Sequence, residues 1–306
     1  MSVTARFHPG ERAVQERAGQ SALALAKGQI ISNVIIPAAW QFLAQQSMIV
    51  LGSWNGQRSP WPTLILGQPG FVSTRDGTQL RIDLTNTSAD RDDPLWQNLR
   101  RNGVLSAIVI DLATRRRLRV NGYVDVGSIA SFFDAPFELT VSQSYPNCPK
   151  YIQRRDVTTP NSIVPALAIG HSDHLSSAQT ALIEAADTLF VASHGGEYGC
   201  DISHRGGQPG FVQVESPTRL RIPDYAGNSF FNTLGNIHAS GTAGVLFLDF
   251  NEGRVLQISG DARIDWPAEQ HGQRSWTVTL GTLRESLLPA WHWRYREASP
   301  FNPAPI

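Results

Sequence analysis

Gly67-Gln68-Pro69-Gly70-Phe71-Val72 recurs as Gly207-Gln208-Pro209-Gly210-Phe211-Val212, displaced by 140 residues. The match continues on both sides in the same order. The apolar run Met48 to Ser53 is mirrored by Thr188 to Ser193, and Leu80-Arg81-Ile82 by Leu220-Arg221-Ile222. Farther on, Gly103, Asp111 and Gly122 correspond to Gly241, Asp249 and Gly260 at a slightly shorter displacement. One hexapeptide is weak evidence, whereas ordered matches across a whole domain indicate internal duplication. The chain must therefore build one unit twice, and the differences between its copies carry the functional information.

Composition sets the outer limits. With 306 residues the chain can bury two cores of ordinary size. A formal net charge of zero and only 17% charged residues give no general attraction to nucleic acid or an anionic membrane. Two cysteines, Cys148 and Cys200, argue against a disulfide framework and suit a reducing cytoplasm. No apolar run is long enough for a bilayer, and the N-terminus lacks the apolar core of a signal peptide. The expectation is a cytoplasmic protein without nucleic-acid or membrane partners.

The hydrophobic pattern predicts five regions. Residues 1–35 form a helical arm, with Glu11 to Ala26 as one helix between Pro9 and Gly28. Residues 36–130 form a first barrel, opened by a short helix from Ala38 to Gln46. Residues 131–175 link the copies, 176–268 form a second barrel, and 269–306 form an extension. Within each copy, alternating or apolar runs of strand length surround one helix, Pro94 to Arg101 and Phe230 to Ile237. This pattern is mainly β with small helices, an α+β architecture of two closed or partly closed β-barrels. Ser275 to Leu288 reads as one more strand and a turn, and the proline-rich end as extended.

Aligned at constant spacing, the copies differ in polar chemistry. Ser203, His204 and Arg205 precede the second Gly-Gln-Pro-Gly turn, where the first copy has Thr63, Leu64 and Ile65. Arginine beside a hydroxyl can hold phosphate through charge-assisted hydrogen bonds, and isoleucine cannot. The second copy enters its helix through Gly227-Asn228-Ser229, the first through Asp92-Asp93-Pro94. Side-chain and free backbone donors suit an anion, while two carboxylates repel one. The plainer alternative is that Asn228 and Ser229 only cap a helix and Arg205 only forms an ion pair.

On these residues the chain resembles the pyridoxamine 5′-phosphate oxidase-like flavin-binding split barrels, in particular their tandem bacterial members. The resemblance spans both barrels, Phe7 to Arg17 and Asn147 to Gln153. It is sharpest over Ser203-His204-Arg205-Gly206-Gly207-Gln208-Pro209-Gly210-Phe211-Val212 and from Gly227 to Ile237. It implies tandem split barrels with FMN in the crevice between them. The phosphate would lie near Arg205, Asn228 and Ser229, and the strand through Gly210, Phe211 and Val212 along the ring. His204 stands where relatives often have proline, and Phe230-Phe231 replaces a more polar stretch. The arginine-and-lysine phosphate clamp of the oxidases proper is absent, so pyridoxal phosphate synthesis is not carried over. The implied activity is an FMN-dependent oxidoreductase acting on a small molecule, with NAD(P)H or a protein as electron donor and homodimerisation left open. Its alternative is a non-catalytic carrier of flavin, haem or another planar anion. His204 is the candidate proton shuttle.

Other features point to structure rather than chemistry. His171-Ser172-Asp173-His174 lacks further ligands at metal spacing, so no metal is expected. Cys148 lies in a turn and Cys200 on a strand; Trp291, Trp293 and Tyr295 read as pinning the tail.

Overall fold

The computed structural model describes residues 6–127, 132–267 and 273–303. The arm is two helices rather than the expected one, α1 (Pro9–Arg17) and α2 (Ser21–Lys27). His8 and Glu11 form a capping box that starts α1, and Gly19, at φ +66°, turns the chain out of it. The short helix before the first barrel starts as a 3-10 turn at Pro37–Ala39 and continues as α3 (Trp40–Ala44).

The first sheet contains β1 (Met48–Trp54), β2 (Pro60–Leu66), β3 (Val72–Ser73), β4 (Gln79–Ile82), β5 (Val104–Asp111), β6 (Arg116–Val124) and β7 (Phe137–Pro146). Helix α4 (Pro94–Asn102) leads into β5. Strand β8 (Arg154–Thr158), β9 (Leu167–Ser172) and α5 (Ser177–Ala185) follow. The second sheet contains β10 (Thr188–His194), β11 (Cys200–Gly206), β12 (Gln213–Ser216), β13 (Arg219–Pro223), β14 (Thr242–Leu248), β15 (Arg254–Asp265) and β16 (Ser275–Leu287), with α6 (Asn232–Ser240) leading into β14. Strand β17 (His292–Glu297) pairs with β8.

The two sheets have the same strand order, β2-β1-β5-β6-β7-β4-β3 and β11-β10-β14-β15-β16-β13-β12. Each is an antiparallel sheet curled into a half-barrel, giving the split-barrel α+β architecture. Strand β7 joins the first sheet from the segment expected to link the copies. Strand β16 joins the second from the expected extension, as one long strand instead of a strand and a turn. The tail is partly regular, since β17 is a strand and Trp291 is buried, while Pro305 lies outside the described residues.

The apolar runs follow from burial on both faces. Along β1, Ile49 and Leu51 point into the first barrel's core, with Val109 and Leu139. Met48 and Val50 point the other way, into a core shared with Phe190, Ala192, Ile202 and Leu246 of the second sheet. The second barrel encloses Leu189, Val191, Val245 and Trp276. Period-2 alternation is thus hidden, because both faces are dry. The shared core requires close backbone approach. A Cβ at Gly244 would stand 2.3 Å from the Pro60 carbonyl oxygen, and one at Gly52 3.1 Å from Ile202 Cβ and 3.2 Å from the Asp201 carbonyl oxygen.

Gly244→Val should therefore force the sheets apart and cost roughly 2–4 kcal/mol of stability in chemical denaturation. Gly170→Ala, where a Cβ meets nothing within 4 Å, should change stability by less than ~0.5 kcal/mol. Equal effects at the two sites would contradict the shared core.

Candidate functional site

The helix that follows β13 begins without a side-chain cap. Asp93 caps α4 by accepting from Leu95 N, but Phe231 holds the N-cap position of α6 and supplies no side-chain acceptor. Phe231 (φ +58°) and Ser229 (φ +72°) are both left-handed, a strained arrangement for residues with side chains. The uncapped end, with Asn232 and Thr233, forms one wall of a cleft of about 880 Å³ of empty space, partly open to solvent. Its free N–H groups and dipole favour a negative ligand.

Both barrels and the link contribute to this cleft. Strand β6 supplies Arg117 and Arg119, residues 147–151 supply Asn147, Cys148, Lys150 and Tyr151, and β11 supplies Ser203, His204 and Arg205. Phe211, Tyr225, Phe231 and Tyr151 give it apolar surface, with the Tyr151 and Tyr225 rings 5.3 Å apart. Arg119 closes the base: it pairs with Asp201 at 2.8 Å and donates to Ser203 Oγ (2.7 Å), Tyr145 Oη (2.9 Å) and Asn232 Oδ1 (3.1 Å).

Arg117 has no carboxylate partner among the described residues. It donates to His204 Nδ1 at 2.8 Å and to the Cys148 carbonyl. Burial, with the like charges of Arg119 and Arg205, pushes its pKa down to about 9. A guanidinium in that condition calls for an anion. Donors without acceptors cluster on these side chains: Arg117 Nε, Arg119 Nε, Arg205 Nε, Asn147 Nδ2 and His204 Nε2. Arg205 and Arg274 share one carboxylate, Asp224, at 3.0 and 3.2 Å. The cleft thus carries five basic side chains and a single acidic one, Asp224.

Of the residues singled out from sequence, Ser203, His204, Arg205, Phe211, Asn228 and Ser229 line the cleft together. Gly210 is an exposed turn residue at φ +85° and Val212 is a core residue, and neither lines it. Several lining groups are already engaged within the chain. Ser203 Oγ donates to Asp201 Oδ2 and accepts from Arg119 and Thr233. Asn228 accepts from Phe230 N and donates to Asn147 Oδ1. Burial, then Arg117, Arg205 and Arg155, hold His204 well below the ordinary imidazole value, so it is neutral and accepts from Arg117.

Arg117, Arg119 and Lys150 were not expected from the sequence, although a signal exists. In the second copy Val255 and Gln257 stand at the positions of Arg117 and Arg119. The equivalent crevice is filled. Asp93 accepts from Trp61 Nε1, Thr63 Oγ1 and Gln257 Nε2, and Arg284 lies 3.7 Å from it and pairs with Asp90. Elsewhere, His171 is exposed and His174 bonds Asp173 at 2.8 Å. No cluster of three or more metal-ligating His, Cys, Asp or Glu occurs among the described residues. Both thiols are free, and no described helix is long and apolar enough to cross a membrane.

No family model matches the chain, and no curated protein matches it significantly. Solved structures show distant likeness. A candidate pyridoxamine 5′-phosphate oxidase from Lactobacillus delbrueckii is 10% identical, with a TM-score of 0.31 over 38% of this chain and 98% of its own. One from Corynebacterium glutamicum is 10% identical, with a TM-score of 0.28 over 43% of this chain and 98% of its own. HupZ of Group A Streptococcus is 12% identical, with a TM-score of 0.26 over 41% and 98%. What the cleft can bind therefore rests on its own residues.

The neutral state of His204 has a thermodynamic consequence. Its folded-state pKa is depressed, so below about pH 6.5 the unfolded chain binds a proton that the native chain refuses. The stabilisation is present above that pH and lost as pH falls. Relative to His204→Gln, the wild type should lose stability as pH falls from about 6.5 to 5 in urea titrations, the slope rising toward a limit of about 1.4 kcal/mol per pH unit. Parallel stability profiles would show that the imidazole titrates normally.

Proposed function

We propose that the cleft binds FMN and that the protein is a flavin-dependent oxidoreductase acting on a small molecule. The observation that carries this reading is Arg117, a cation at the cleft wall without a counter-ion, beside the uncapped start of α6 and an aromatic surround. Arg117, Lys150 and the free N–H groups of α6 would hold the phosphate, with Arg205 contributing when it shares its charge between ligand and Asp224. Phe211, Tyr151 and Tyr225 offer apolar surface to a planar ring. The orphaned donors of Asn147, His204 and the arginines fit an acceptor-rich ligand. When bound, the flavin supplies the redox chemistry. His204, neutral and bonded to Arg117, serves to orient that guanidinium, which is a different task from moving a proton.

A second reading is a non-catalytic carrier of flavin, haem or another planar anion. It is favoured by the engagement of Ser203, Asn228 and His204 within the protein, which leaves the cleft few free acid/base groups. NAD(P)H separates the two readings: an enzyme turns over, and a carrier does not accelerate reduction of its cargo.

Purified protein mixed with FMN and freed of excess should keep about one flavin per chain, with visible bands near ~450 and ~370 nm. Arg117→Met should weaken FMN by roughly 2–3 kcal/mol, or about 30- to 150-fold, because a charge-assisted anchor is lost. The same substitution should raise the melting temperature without ligand by removing a buried, unpaired charge. Unchanged FMN affinity would move the anion elsewhere, and a protein that takes up no flavin would refute the cofactor assignment.

A further inference from the structure

Helix α1 of the arm packs on the same turn that forms the cleft wall. Gly10 and Gly235 let the two helices touch: a Cβ at Gly235 would stand 2.5 Å from Glu11 Cα, and one at Gly10 2.4 Å from the Gly235 oxygen. Phe7 packs on Phe230 with ring centroids 5.4 Å apart, and Gln15 Nε2 donates to the Phe230 carbonyl at 2.9 Å. His8 stacks on Tyr198 and bonds Asn236 Oδ1 at 2.8 Å. Phe230 and Asn232 flank Phe231, so the arm braces the cleft from behind.

Glu11 is the unusual member of this contact. Its side chain is buried, accepting from His8 N through Oε2 and from Asn232 Nδ2 through Oε1. Asn232 in turn accepts from Arg119 and Tyr145. The groups facing Glu11 come from every neighbouring element: His8, the N-cap of its own helix, at 3.9 Å, Asn232 of α6, Asp201 of β11, Arg119 of β6 and Tyr145 of β7. One guanidinium therefore faces two acids, and Asp201 already holds it at 2.8 Å. The arm's underside is not packed solid. A hollow of about 860 Å³ of empty space, partly open to solvent, lies between the arm and both sheets, lined in part by Glu11, Asn121, Asp201 and Asn232.

We propose that the arm is a detachable back wall of the cleft, and that the Glu11 carboxyl is its switch. Protonated, Glu11 sits beside Asn232 without adding a second negative charge to the Arg119–Asp201 pair. Ionised, it is a buried anion whose nearest cation is already taken, and leaving for water relieves it. Release of α1 removes the support under Phe230 and Asn232 and loosens the Asn228–Thr233 turn. Burial raises the Glu11 pKa to about 8 from an ordinary 4.5. With the Glu11 pKa raised on docking, docking weakens as pH rises and levels off above about pH 8, while His8, whose pKa burial lowers, opposes this below about pH 6.5 by weakening docking as pH falls. The inference does not depend on which ligand the cleft takes.

Hydrogen exchange of the full chain, corrected for the intrinsic pH dependence of exchange, tests it directly. The opening equilibrium of α1 in the wild type, relative to that in Glu11→Gln, should rise about 50-fold between pH 6 and pH 8 and then flatten. The amides of residues 227–233 should follow the same profile, while α5 should not. Glu11→Gln should remove this rise, leaving only the opposite trend of His8 below about pH 6.5. A flat profile in the wild type overturns the proposal, and so does a wild-type slope retained in Glu11→Gln or shared by α5. Opening of α1 with residues 227–233 still protected would overturn the link to the cleft. If Glu11→Gln fails to fold, the wild-type profile and its α5 control decide alone. FMN binding serves as a separate readout, so failure of the flavin assignment leaves the exchange result standing.

Discussion

The central strands of the two sheets bury both faces, and the placement of the candidate cleft follows from that. Val50, Ile108, Phe190 and Leu246 meet in a core that neither half-barrel can complete alone. Removing that much apolar surface from water outweighs any single polar contact in the molecule. It also fixes the pairing of the sheets. With the central strands face to face, β6 of the first copy lies against β11 of the second, and β15 of the second lies by β2 of the first. Two crevices result, each walled by both copies.

The crevices share a frame and solve its electrostatics in opposite ways. Around Asp93, four hydrogen-bond donors and a nearby arginine satisfy the carboxylate, and buried side chains occupy the space. Around Arg117, the comparable charge has only a histidine nitrogen and a carbonyl. A satisfied buried ion contributes to folding little more than the apolar groups that could replace it, whereas an unsatisfied one is a net cost. The first arrangement needs nothing else. The second is retained at the expense of stability, which is the expected signature of a binding site.

Much of this was legible in the sequence, for identifiable reasons. The repeat, the mainly β architecture and the helix in each copy follow from periodicity and spacing, because those depend on local backbone geometry. The contrast of Ser203-His204-Arg205 with Thr63-Leu64-Ile65 falls where the cleft lies. Gly210 and Val212 do not line the cleft, because Gly210 sits in an exposed turn and Val212 turns inward to Leu220 and Ile222. Arg117 and Arg119 were missed because the comparison treated each copy as making its own site. The shared core crosses the contributions, so the first copy's arginines serve the second copy's crevice. The split of the arm at Gly19 was obscured because the helix formers Ala18 and Gln20 surround one glycine.

One region of the chain is less settled than the rest. Ser229 and Phe231 hold left-handed conformations, α6 starts uncapped, Arg117 lacks a counter-ion, and Glu11 is buried beside Asp201. All four lie at the junction of the arm, β6 and the turn entering α6. Each costs on the order of 1–3 kcal/mol in isolation. The shared core and the two barrel interiors hold them in place, as rigid surroundings must if strained residues are to persist. Spread over separate regions, such costs would only weaken the fold. Gathered at one junction, they share the same neighbours, so an anion that satisfied Arg117 or a proton that neutralised Glu11 would act on all of them.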